Sequence, residues 1–154
     1  MMTEIRFFVP GTPQPGGSKS AVVIAGRARI FDDCKRNKDW RAVVSMAAVE
    51  HFREGPLDCP LFVRFEFLMP RPKGHFGSGK NRGRLRSSAP LWPAVKPDVT
   101  KLIRSTEDAL TGIAWRDDAL IVKQVGDKQY VNPELPVKRL AGAWITIRHT
   151  GLGR

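Results

Sequence analysis

The chain has 154 residues, 42% of them hydrophobic, enough to bury one core, so a single domain over 1–154 is expected. Its 26 Lys and Arg against 15 Asp and Glu give a formal charge of +11, more than solubility requires, which points to a polyanionic partner such as nucleic acid. Two cysteines, Cys34 and Cys59, show no CxxC or Cys/His spacing, and no run approaches the roughly 20 apolar residues of a membrane span; a disulfide framework, a zinc site and membrane insertion are excluded, and a reduced, cytoplasmic setting is expected.

Residues 5–9 (IRFFV) predict a strand that stops at Pro10, and the GTPQPGGSKS that follows holds too many Gly and Pro for regular structure. AVVIAGRARIF, residues 21–31, is apolar on both sides of Gly26 and predicts a hairpin. Its second arm carries Arg27 and Arg29, facing either phosphate or water. Trp40, Val43, Val44, Ala47, Ala48 and His51 recur at a spacing of three and four, which predicts an amphipathic helix over roughly 38–53. His51 then lies on the apolar stripe, as a partly buried structural residue rather than a ligand or base. LFVRFEFLM, residues 61–69, alternates apolar residues with Arg64 and Glu66, the pattern of a half-buried strand, and Pro70 ends it.

Residues 71–97 have no periodicity, seven basic residues (Arg71, Lys73, Lys80, Arg82, Arg84, Arg86 and Lys96) and no acidic one. Loops this long are usually functional or disordered. The Gly-spaced arginines suit a basic, mobile loop at about 71–97 that binds DNA and orders on it; a solvated excursion is the plainer alternative. ALIVKQV (119–125) and AGAWITIRH (141–149) predict two more strands, with breaks at Asn132-Pro133 and Pro136 between them.

The chemistry concentrates in KPDVTKLIRSTEDALTGIAWRDDALIV, residues 96–122. At about 100° per residue, Val99, Leu102, Ile103, Thr106, Ala109 and Leu110 gather on one side of a helix, and Asp98, Lys101, Arg104, Ser105 and Asp108 on the other. Asp98 suits the helix start, where a carboxylate accepts from free backbone N–H groups, and Gly112 suits the stop. If the strand after Asp117 and Asp118 packs beside this helix, the pair can approach Asp98. Two such carboxylates about 4 Å apart repel by roughly 4 kcal/mol at an effective dielectric near 20, so something cationic must compensate. Lys101 and Arg104 are one solution, and a hard divalent ion with oxygen ligands is the other. Taken singly, the same residues also read as an N-cap, a turn and a solvated face. Trp92, Trp115 and Trp144 are either base-stacking or core residues.

The string KPDVTKLIRSTEDALTG followed by RDDALIV resembles the RusA-type Holliday junction resolvases, whose pattern is Asp-x-Asp-Asn-Leu-x-Lys, an Asp-Ala-Leu in the same helix, and Asp-Asp ahead of a strand. The resemblance implies an α/β fold, a small mixed sheet with packed helices. It also implies a homodimer, bacterial or bacteriophage-encoded, that cleaves branched DNA with Mg²⁺ or Mn²⁺ in recombination and repair. Carried over by position, Asp98, Asp117, Asp118, Lys101 and Arg104 are the catalytic set, and Asp98, Asp118, Asp117, Thr100 and Asp108 the metal set. Thr100 stands where the family has its second catalytic aspartate, Lys101 replaces an asparagine, and Arg104 replaces a lysine. Asp108, Asp117, Glu107 or Glu66 would then supply the missing carboxylate. A RusA-like protein that binds branched or duplex DNA without cutting it is the alternative.

Overall fold

The computed structural model describes residues 4–16, 19–24, 26–32 and 35–151, without the side chains of 17–25 and 27–35. In chain order it contains β1 (Glu4–Pro10), β2 (Lys19–Ile24), β3 (Arg27–Asp32), α1 (Lys35–Val49), β4 (Leu61–Met69), α2 (Val99–Leu110), β5 (Ile121–Tyr130) and β6 (Gly142–His149). Four strands make one mixed sheet in the order β1-β6-β4-β5, and β2 and β3 pair separately. The expected α/β class and small mixed sheet with packed helices are therefore observed. No helix among the described residues is long and apolar enough to cross a membrane.

The sheet's central strand shows why the sequence folds this way. Leu61, Val63, Phe65 and Phe67 of β4 have no exposed surface and point toward the helices, as strand alternation requires. Glu66 points to the other face, where it pairs with Arg6 at 3.4 Å and Arg64 at 3.5 Å. From α1, Trp40, Val44 and Ala48, four residues apart, enter the same core. The helix starts earlier and ends earlier than its apolar spacing implies. The His51 N–H donates to the Ala48 carbonyl at 2.9 Å as the chain turns away, so His51 is not on a buried stripe. It is exposed, with its ring stacked on Phe7 at 4.8 Å.

The β2–β3 hairpin turns at Gly26, whose φ of +73° favours glycine. Arg27 and Arg29 have side chains outside the described residues. The 71–97 segment, featureless in sequence, contains short 3-10 turns at Lys73–His75 and Gly79–Asn81 and single bridges between Phe76 and Leu85 and between Gly77 and Arg82.

β4 and β5 are parallel, so the chain must cross back between them. That crossover consists of the 71–97 segment and α2. Val99 and Ile103 of α2 lie over Gly126 of β5, where an added Cβ would collide with Ile103 Cδ1. The missing side chain at Gly126 leaves the room that the Ile103 side chain occupies where helix and strand pack.

Candidate active site

Asp98 occupies the N-cap position of α2, with extended backbone at φ −68° and ψ 142°, but its side chain makes no capping hydrogen bond. The capping role expected from sequence is therefore not formed, and the exposed carboxylate is not spent on the helix. It lines a cleft of about 380 Å³ with Thr12, Gln14, Met69, Lys96 and Lys101. The backbone of the N-terminal loop is fastened there by Gly16 N–H donating to the Lys101 carbonyl at 2.9 Å. Gly16 suits this contact, since a Cβ would lie 3.1 Å from the Ser105 Cα and crowd it.

The cleft sits at the carboxyl ends of the parallel strands, next to the helix N-terminus, which is the usual place for ligands in α/β sheets. Lys128, near the end of β5, donates to the carbonyls of Val95 and Pro97, the latter at 2.8 Å, and so fixes the approach to Asp98. Sequence reading missed Lys128 and Gln14. The β5 pattern loses its apolar alternation after Val125, and nothing local to residues 10–16 reports that they meet α2.

Asp118 lies at the other end of the helix. Its Oδ1 accepts from the Thr111 hydroxyl and from Trp115 Nε1, the latter at 2.9 Å. Thr111 is the C-cap of α2, so the helix itself separates Asp98 from Asp118. Twelve helical residues intervene, a span of about 18 Å at a rise of about 1.5 Å per residue. The strand does pack beside the helix, but a short connection reverses the chain, so the strand's beginning meets the helix's end. Asp117 accepts from the Ala119 N–H at 2.8 Å and caps the following 3-10 turn.

Glu107 lies near Asp118. Burial pushes its carboxyl above its ordinary value, Asp118 and Asp108 push it further, and a hydrogen bond from Gln124 opposes them. Glu66 cannot join this group, because it projects from the face of the sheet opposite Phe65 and α2. Among the described residues, no group of three or more His, Cys, Asp and Glu is arranged to hold a metal ion. Asp98 and Asp118, at opposite ends of α2, therefore do not by themselves form the shared ion site that the resemblance implies.

The other residues expected to be catalytic or DNA-binding lie along α2 and the crossover segment. Thr100, Lys101, Arg104 and Asp108 are exposed along α2. Ser105, expected on that polar face, is instead fully buried and donates to Asn37 between the helices. Lys73, Lys80, Arg82, Arg84 and Lys96 are exposed on the crossover segment. Arg71 and Arg86 are partly committed to it: Arg71 lies over the Tyr130 ring at 4.5 Å and donates to the Pro90 carbonyl at 2.9 Å, while Arg86 Nε donates to the Phe76 carbonyl at 2.8 Å.

A comparison with curated proteins finds no match. The family model for endodeoxyribonuclease RusA matches residues 10–138, a span that holds the N-terminal loop, the crossover segment, α2, the Asp-Asp pair and β5. The chain belongs to the RusA family, endodeoxyribonucleases that act on Holliday junction DNA.

Proposed function

We propose that this protein is an endodeoxyribonuclease that cleaves four-way DNA junctions, with Asp98 at the reacting phosphate. One observation carries the reading: an uncapped carboxylate at the N-terminus of α2 lies in a cleft with Lys96 and Lys101, beside a segment whose charged residues are all basic. Phosphates are drawn to such a place by the lysines and by the free N–H groups of the first helical turn. Hydrolysis needs a water oxygen to attack phosphorus while the ester P–O bond breaks. In this reading Asp98 accepts the water's proton, the leaving oxygen takes a proton from solvent to depart as a hydroxyl, and Lys101 or Arg104 offsets the charge that develops.

A requirement for Mg²⁺ or Mn²⁺, a homodimer, and a role in recombination and repair belong to the same proposal. The absence of a metal-holding group among the described residues, together with Thr100 at the family's aspartate position, favours a second reading, a protein that binds junctions without cutting them.

The deciding assay incubates a synthetic four-way junction and a linear duplex with the wild type and with Asp98→Asn, under Mg²⁺, Mn²⁺ or EDTA. We expect resolved junction product that disappears in EDTA, and a loss of at least about 100-fold in rate for Asp98→Asn with binding retained. Binding without product under either metal would establish the second reading.

A further inference from the structure

The four tryptophans of the chain have different surroundings. Trp40 is 3% exposed and donates to Thr106 Oγ1 at 3.1 Å. Trp115 is fully buried against Asp118. Trp144 lies under the Arg6 guanidinium at 4.6 Å and donates to the Val137 carbonyl at 2.9 Å. Trp92 is 58% exposed, and its neighbour Leu91 is 75% exposed.

The backbone around Trp92 is held in place. Pro93, next in sequence, is buried. On one side Arg71 donates to the Pro90 carbonyl and stacks on Tyr130; on the other Lys128 donates to the Val95 and Pro97 carbonyls. Both anchors come from the end of β5 or rest on it. An indole and an isobutyl group are thus presented to solvent from a fixed position, on a segment with seven cations and no acid.

Such a surface suits a partner that is anionic outside and flat and apolar inside. DNA bases meet that description, but in a continuous duplex each base face is covered by its neighbours. A face becomes open only where strands separate or exchange. We propose that Trp92, with Leu91 beside it, reads the branch point: the indole stacks on an open base face while the cations of the same segment hold the surrounding phosphates. This rests on the nuclease reading above and adds to it the element that separates branched from linear DNA.

The test measures binding in EDTA, so that nothing is cut, to a four-way junction with 2-aminopurine at the exchange point and to a linear duplex of the same arm sequence. Wild type, Trp92→Ala and Trp92→Phe are compared. Wild type is expected to change the 2-aminopurine fluorescence. Trp92→Ala should lose that change and weaken junction binding by about 5- to 100-fold with duplex binding within about twofold, and Trp92→Phe should keep most of the affinity. Three results would overturn the proposal: equal losses on both DNAs or none, a smaller oligomer for Trp92→Ala by light scattering, or a loss of binding to phosphatidylserine vesicles with junction binding intact. A wild type that cuts junctions while Trp92→Ala binds them normally refutes only this inference. A wild type that treats junction and duplex alike and cuts neither in Mg²⁺ or Mn²⁺ refutes the nuclease reading and this inference with it.

Discussion

At Asp118, one carboxylate oxygen satisfies two donors at the end of α2, and one of them, the Trp115 indole, has no exposed surface. A buried donor that loses its partner costs about 1–3 kcal/mol. Asp118→Ala is therefore expected to lower unfolding stability by about 2–3 kcal/mol in urea denaturation, and Asp118→Asn, which keeps an acceptor oxygen, by less than about 1 kcal/mol. Asp117 supports only the N–H of an exposed turn, and Asp117→Ala should cost about 0.5–1 kcal/mol. Equal costs at the two positions would show that the hydrogen bonds of Asp118 do not brace the turn. The asparagine variant also separates two roles, since a stable but inactive protein would show that the charge serves chemistry beyond the fold.

At the scale of elements, α2 and β5 bring Glu107, Gln124 and Asp118 together, and this pairing gives a pH signature. The folded protein holds the Glu107 proton to higher pH than the unfolded chain, because burial and two neighbouring carboxylates disfavour the charge. Ionising it thus costs stability, a cost absent below the ordinary value of 4.5 and complete once pH exceeds the raised folded value. With divalent ions chelated, Glu107→Gln should gain in melting temperature relative to the wild type as pH rises from about 4 to 7, and the gap should close at the acid end. A gap that widens toward acid pH would mean the wrong sign. The same two elements mark where the sequence is legible. The apolar face of α2 was readable from its period, and β4 from its alternation, because each buries one face. The end of β5 was not, because an edge strand can pair along its backbone without apolar alternation. The Asp98 and Asp118 positions were readable as residues, but their separation followed from chain direction, which no local pattern encodes. Ser105 looked polar and solvated because its buried partner Asn37 is 68 residues away.

Across the whole molecule, positive charge is unevenly spread, and the crossover segment from β4 to α2 holds seven of the 26 Lys and Arg with no compensating acid. On the open face of the sheet Arg64 is matched by Glu66 and Asp127, and Arg148 by Glu4. A basic segment without acids is of the kind able to displace counterions from a polyanion such as DNA. Arg82 and Arg84 are exposed with no ion pair among the described residues, and Arg86 donates one N–H to the Phe76 carbonyl while keeping its charge available. Each phosphate neutralised on duplex DNA contributes about −0.9 to the slope of log affinity against log salt. Replacing Arg82, Arg84 and Arg86 together with Ala should make the slope shallower by about 2 to 3 and weaken binding at physiological salt. Because all three side chains are exposed, unfolding stability should change by less than about 1 kcal/mol. Fluorescence anisotropy across a salt series, with a denaturation curve on the same samples, measures both quantities. An unchanged slope in a folded variant would move the DNA surface off this segment and take away the support it gives to Asp98 as the site of cleavage.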